Sequence, residues 1–313
     1  MMNKEAMFYE EKDGLINCYL CPHRCKKISE GHKGVCGVRE VKKDEEGAIK
    51  LYSINYGEIT SLSMDPIEKK PLYEFYPGTM ILSIGSFGCN FKCSFCQNYS
   101  ISQYRAESKY IPPEEMAEIS MEIENNIGLA FTYNEPSIWY EYVYDVARKI
   151  KERNKEHKVV LVTNGYICNE PLKKLLPYVD ALNIDLKGGK EYYKKLCFGE
   201  LEAVKETIKI AYEMGKHIEV TTLLIPCENT DDETLMEIAT FLSSLNKDIP
   251  LHLSRYFPRY KMNLQSTPID EIKKSYHILK KYLNHIYLGN LTAEEIEYLS
   301  LIHISEPTRP RLI

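Results

Sequence analysis

Met80-Ile-Leu-Ser-Ile84-Gly85-Ser-Phe-Gly-Cys89-Asn-Phe-Lys-Cys93-Ser-Phe-Cys96-Gln-Asn-Tyr99 carries both the start of the fold and its chemistry. Met80 to Ile84 is an apolar, strand-like run. Cys89, Cys93 and Cys96 follow it at C-x3-C-x2-C spacing, on a loop bearing Gly and Asn. Four thiolates would close a tetrahedral metal centre, whereas three leave one coordination position open for chemistry. Free cysteines are commonly buried as small apolar residues. Three within eight residues, on a loop rather than along a hydrophobic stripe, speak instead for shared ligation.

C-x3-C-x2-C with the aromatic Phe95 before the last cysteine resembles the signature of radical S-adenosylmethionine (SAM) enzymes. Asp65-Pro-Ile-Glu-Lys-Lys-Pro-Leu-Tyr73, Phe75-Tyr-Pro-Gly78 and Cys89-Asn-Phe together resemble the radical SAM component of the AmmeMemoRadiSam system. That group is similar to pyruvate formate-lyase activating enzymes. The resemblance runs from about Cys18 to Asn290. It implies a partial (β/α)6 barrel and a [4Fe–4S] cluster held by Cys89, Cys93 and Cys96. SAM would chelate the fourth iron. An electron from a flavodoxin- or ferredoxin-type reductant would split the sulfonium to methionine and a 5′-deoxyadenosyl radical. That radical would abstract hydrogen from a substrate, which in the activating enzymes is a glycine of a partner protein.

Downstream of Met80 the pattern alternates strand and helix. Strand-like runs fall at Met80–Ile84, Gly128–Phe131, Val159–Thr163, Ala181–Leu186, Ile218–Leu224 and Leu251–Leu253. Helical stripes lie between them, among them Trp139, Val143, Val146 and Ile150. Met116, Ile119 and Ile123 mark another, opened by Pro112-Pro113. Thr230-Asp-Asp-Glu233 reads as a capping box ahead of Leu235, Ile238, Leu242 and Leu245. Thr267-Pro268 reads as a cap ahead of Ile269, Ile272, Tyr276, Leu279 and Leu283. Repeating βα units imply a parallel sheet, so the expected class is α/β. The expected divisions are a Cys-rich module and lead-in over 1–77, a radical SAM partial barrel over 78–290, and a divergent tail over 291–313.

Parallel α/β folds place their sites at the carboxyl ends of the strands. Polar residues there are the candidates. The second strand ends in Asn134-Glu135-Pro136; by resemblance Glu135, with Asn134, accepts hydrogen bonds from the SAM amino group. Asn-Glu-Pro is also an acceptable helix start. The third ends in Thr163-Asn164-Gly165 and the fourth in Asp185-Leu-Lys187, similar to segments that bind the SAM ribose and carboxylate. Lys187 is the expected carboxylate partner. Phe95 would line the adenine side, and His252 and Arg255 would orient SAM or substrate. Lys69, Lys70 and Glu74 belong to the resembling motif and are candidates to face the site; a Glu-Lys-Lys run is otherwise an ordinary solvated surface. No catalytic side chain is assigned beyond the cluster and SAM.

Cys18-Tyr-Leu-Cys21-Pro-His-Arg-Cys25 and Cys36 give four thiols punctuated by Pro and Gly, which suits an auxiliary iron–sulfur cluster or a structural zinc. Seven of the ten cysteines fall in these two groups rather than in a disulfide framework, which points to a reducing cytoplasm. Cys168, Cys197 and Cys227 read as packing or substituted positions. Lys and Arg total 40 against 45 Asp and Glu, leaving a net charge of −5 and no electrostatic footprint for nucleic acid. No apolar run approaches the roughly 18 residues of a membrane span. Leu299-Ser-Leu-Ile-His-Ile-Ser-Glu-Pro-Thr-Arg309 resembles a translated sequencing adapter, so residues from about 299 are expected to be non-native. A non-catalytic electron-transfer protein is the rival reading; it predicts cluster binding without SAM cleavage.

Overall fold

β-branched and leucine-rich runs, bounded by polar turns, become strands buried on both faces, as parallel strands covered by helices must be. The structure is a computed structural model that describes residues 4–292 and 294–296; the expectation for residues beyond 299 lies outside them. Among the described residues the central sheet has eight strands: β1 (Ser61–Pro66), β2 (Met80–Gly85), β3 (Asn126–Phe131), β4 (Lys158–Thr163), β5 (Ala181–Asp185), β6 (His217–Leu224), β7 (Leu251–Arg255) and β8 (Ile286–Gly289). They lie side by side in chain order, β2 to β8 parallel and β1 antiparallel to β2. Helices α1 (Pro113–Glu122), α2 (Tyr140–Arg153), α3 (Asn169–Leu175), α4 (Leu201–Glu213), α5 (Asp232–Leu245) and α6 (Ile269–Leu279) fill the six successive crossovers. The result is six βα units with a closing parallel strand. All six expected strands form.

Two strands extend the expected set. Ser61-Leu-Ser-Met-Asp-Pro is too polar to read as a barrel strand because it is an edge, where one flank needs no apolar cover. It had been expected in the lead-in and instead pairs along its whole length with β2. Ile286-Tyr-Leu-Gly is only four residues long. Two caps also differ. Asp231, not Thr230, starts α5, accepting the Thr234 N–H at 2.8 Å. Thr267 does not cap α6; its hydroxyl donates to Leu224 O at 2.6 Å and accepts the Tyr256 N–H at 3.1 Å, tying the loop after β7 to β6. Ile123 and Leu283 lie just past the helices whose stripes they continue.

The chain between β1 and β2 packs Ile67, Leu72 and Phe75 against Ile81, Ala130, Val160 and Ala181. Glu219, fully buried on β6, anchors this plug by accepting the Tyr73 and Glu74 N–H groups at 2.9 and 2.8 Å. It also meets His217 Nε2 at 2.9 Å and His252 Nε2 at 2.6 Å. Burial alone would raise its pKa, but these partners bring it down to about 2. A carboxylate depressed from its unfolded value stabilises the fold fully above about pH 4.5, and loses that contribution as pH falls toward about 2. Glu219→Gln is therefore expected to cost roughly 3 kcal/mol near neutrality. In unfolding curves across pH the deficit should shrink steadily below about pH 4.5; a deficit independent of pH would reject the ionised state assigned to Glu219.

The N-terminal residues form two small antiparallel sheets. One pairs Tyr9–Lys12 with Leu15–Cys18, and the other sets Ile49–Ser53 between Lys4–Glu5 and Arg39–Lys43. Arg39 and Glu141 form a buried ion pair joining this region to α2. Cys18, Cys21 and Cys36 are buried and Cys25 is partly so. A Cβ at Gly34 would lie 3.5 Å from Cys25 Sγ and 3.9 Å from Cys36 Sγ, so both thiols border this glycine at ordinary contact distance. No described helix is long and apolar enough to cross a membrane.

Candidate active site

A cavity of about 340 Å³ opens where β2 to β7 end. Cys89, Cys93 and Cys96 line it, together with Phe95, Asn134, Glu135, Thr163, Asn164, Asp185 and Lys187. The expected strand-end residues are thus drawn together from β2, β3, β4 and β5. Gly165 is not part of the lining; it turns the chain at φ +70°, where a side chain would press on Ile184 Cγ2 at 2.9 Å.

The cysteine loop is fixed from several sides. Gly88 has φ +92°, and a Cβ there would sit 2.5 Å from Val38 Cγ1, so the N-terminal region and the loop meet at a glycine. Asn134 spends both ends of its amide on the loop, accepting the Ser86 N–H at 3.0 Å and donating to Gly88 O at 3.2 Å. It braces the cysteine loop while lining the cavity, with one Oδ1 lone pair and one N–H beyond these bonds. Asn164 Nδ2 donates to Asn90 Oδ1 at 2.9 Å and approaches Cys89 Sγ at 3.7 Å. Asn90 in turn donates to Tyr166 O at 2.7 Å. The Phe91 N–H points at Cys89 Sγ from 3.3 Å. From below, the Lys92 and Ser94 N–H groups bond to Cys197 O and Leu196 O at 3.0 and 3.2 Å. Cys197, read from the sequence as packing, is wholly buried as a neighbour of Cys93, and that neighbour together with burial raises the Cys93 thiol pKa.

Glu135 is buried beneath the cavity and accepts the Thr163 hydroxyl at 2.6 Å, the Asn164 N–H at 2.8 Å and the Ser137 N–H at 2.9 Å. Burial raises its pKa against the lowering effect of these donors. The helix-start reading of Asn-Glu-Pro holds, since Glu135 caps the turn that leads into α2. Lys187 is paired with Asp185 at 2.7 Å. Burial works against its charge, but Asp185 and the neighbouring Cys93 and Cys197 sulfurs outweigh that and hold it protonated.

His252 and Arg255 lie outside the cavity lining. His252 and Ser254 share one face of β7, but Ser254 stands nearer the carboxyl end and lines the cavity, whereas His252 lies one step deeper and meets Glu219 at the plug. Arg255 bonds to Thr267 O at 2.8 Å and Glu295 Oε1 at 2.6 Å. Glu74 is held away from the cavity by the Tyr287 hydroxyl at 2.7 Å. Lys69 and Lys70 do line it, and Tyr133, Thr221, Ser254 and Asn290 join them without having been singled out. For Ser254 and Thr221 the available signal was position at a strand end; Tyr133 had none, because its φ of +70° is a property of the fold.

Among the described residues no three His, Cys, Asp or Glu side chains converge on a single metal ion. Three thiols around one cavity fit a cluster in which each thiolate takes its own iron, and the N–H groups aimed at Cys89 suit a thiolate. A sequence profile of the radical SAM superfamily matches residues 83–242. The chain belongs to the radical SAM superfamily. This radical SAM protein is 40% identical over 301 residues to an uncharacterized protein of Methanocaldococcus jannaschii, covering 94% of this chain and 87% of that one. A second protein of that organism, named as a candidate glycyl-radical enzyme activating enzyme, is 30% identical over 215 residues, or 66% and 79% of the two chains. Streptococcus suis SuiB bound to S-adenosylmethionine superposes with a TM-score of 0.54 at 14% identity, over 72% of this chain and 55% of that one. A radical SAM methyltransferase from Sphaerobacter thermophilus gives 0.53 at 16% identity, over 82% and 74%. These two structures share the fold.

Proposed function

We propose that the chain is an enzyme that cleaves SAM reductively, with Cys89, Cys93 and Cys96 holding a [4Fe–4S] cluster. The observation that carries this reading is the convergence of three loop thiols with Glu135, Thr163, Asn164, Asp185 and Lys187 on one cavity at the strand ends. When bound, the cluster and SAM supply one electron and a breakable sulfonium C–S bond, yielding methionine and a 5′-deoxyadenosyl radical that takes hydrogen from substrate. The chain's own residues position and shield. Asn134 and Asn90 fix the cysteine loop. Glu135, already accepting three donors, holds the β3 and β4 ends together and keeps acceptor capacity on Oε2 for an ammonium. Lys187 keeps two N–H groups beyond its bond to Asp185, enough for a carboxylate. Phe95 closes the adenine side.

Activation of a glycyl-radical enzyme is supported by the name of the second relative. Membership of the AmmeMemoRadiSam system rests on the Asp65–Tyr73 and Phe75–Gly78 motifs, and with it modification of another protein or small molecule is the alternative outcome. A flavodoxin- or ferredoxin-type donor would supply the electron, in a reducing cytoplasm. Cys18, Cys21, Cys25 and Cys36 would hold a second iron–sulfur cluster or zinc.

Anaerobic reconstitution with iron and sulfide, followed by dithionite and SAM, should yield 5′-deoxyadenosine. A correctly loaded cluster that gives none would replace this reading with electron transfer. Metal and sulfide analysis of the variant lacking Cys89, Cys93 and Cys96 then identifies what the four N-terminal thiols hold: iron with sulfide, or zinc alone.

A further inference from the structure

The Asp65–Tyr73 motif brings a second cation to the cavity, from the segment after β1, whereas Lys187 follows β5. Lys70 lines it with a side chain only 2% exposed. Its ammonium bonds to Asp65 Oδ2 at 2.7 Å and sits 4.8 Å from the centre of the Tyr133 ring. Asp65 is shared: the Tyr133 hydroxyl donates to the same oxygen at 2.6 Å, and Lys69 Nζ meets the other at 3.1 Å. One carboxylate therefore serves two ammonium groups and a phenol. Burial would raise the Asp65 pKa, yet Lys70, Tyr133 and Lys69 bring it to about 2, so it stays ionised. Burial lowers the Lys70 pKa and Asp65 acts against that, so ammonium and carboxylate stand as a buried pair beside the cavity wall. Lys69, 67% exposed, is screened by solvent, whereas Lys70 is not.

A buried ammonium that shares the Asp65 carboxylate as its acceptor keeps two N–H donors for a ligand. Lys187 and Glu135, beside the thiols, are the groups assigned to SAM. We propose that Lys70, set by Asp65 and Tyr133, anchors a carboxylate of the substrate, so that the substrate class is a carboxylate-bearing molecule or side chain. This rests on the reading of the cavity as the place where SAM and substrate meet.

The test is calorimetric titration of the full, anaerobically reconstituted chain, with and without saturating SAM, using succinate, inorganic phosphate and neutral succinamide. Succinate should bind and succinamide should not. Lys70→Gln should weaken succinate at least about tenfold and Lys70→Arg only about threefold, since Arg keeps charge and donors. SAM affinity should be unchanged in both. Equal binding of succinate and succinamide by the parent overturns the proposal, and needs no variant to fold. So does equal succinate binding by the parent and a folded Lys70→Gln chain, or a preference for phosphate. Loss of SAM affinity in Lys70→Gln overturns it as well, by moving Lys70 into the SAM subsite. A parent that binds succinate through Lys70 but never binds SAM leaves the anion site standing and rejects the SAM reading instead.

Discussion

Cys93→Ala is expected to abolish 5′-deoxyadenosine formation, while Cys197→Ala, at its buried neighbour, keeps it within about tenfold. Removing a partner of a metal ligand typically costs about 10–100-fold, and removing the ligand itself costs more. The two thiols touch, and both are buried. Only Cys93 lines the cavity. Cys197 stands behind it, on the turn whose carbonyls receive the Lys92 and Ser94 N–H groups. On the proposed ligation by Cys93, Cys197 would position and tune that thiolate, so Cys197→Ala should shift the cluster's reduction potential or its electron paramagnetic resonance signal while iron and sulfide content hold. Equal iron loss in the two single variants would show that the assignment of ligand and supporter is wrong, and would make Cys197 a member of the site.

How much of this was open to sequence reading follows from range. The C-x3-C-x2-C loop and the six apolar runs are local patterns, and each became the expected loop or strand. Glu135, Thr163, Asn164 and Asp185 were legible because a parallel sheet fixes where its strand ends gather. What stayed hidden depends on contacts across the chain. His252 and Ser254 lie on one strand two residues apart, and only the floor-forming contact with Glu219, 33 residues away, shows that His252 belongs to the plug. That Asn134 braces the cysteine loop shows only once the Ser86 and Gly88 backbone is seen on its amide. β1 escaped notice because an edge strand carries no apolar signature. Lys70 was ambiguous for a related reason: a Glu-Lys-Lys run is a solvated surface unless a strand carries its neighbour Asp65 inward.

The second large effect concerns the joint between the cysteine-rich region and the barrel. Arg39 and Glu141 are 2% and 0% exposed at their side chains. Glu141 also accepts the Met7 N–H at 2.8 Å, and Arg39 donates to Met7 O at 2.9 Å and to Cys18 Sγ at 3.4 Å. Removing one member of such a pair leaves a buried charge without compensation, a loss of about 3–5 kcal/mol. Glu141→Ala should therefore lower the unfolding midpoint by roughly 10 °C, given the few degrees per kcal/mol of a chain this size. Arg39→Met with Glu141→Leu should recover most of it, because replacing both charges by apolar groups of similar volume avoids the desolvation cost. The single tryptophan reports locally: Trp139 is buried, stacks on Tyr142 at 4.6 Å and donates to Asn55 O at 2.7 Å across the same joint. In Glu141→Ala its fluorescence should change before the far-ultraviolet signal of the barrel does, marking the joint as the part that opens first. A double variant no more stable than the single would mean that the geometry at Met7 and Cys18, rather than the orphaned charge, sets the strength of the joint.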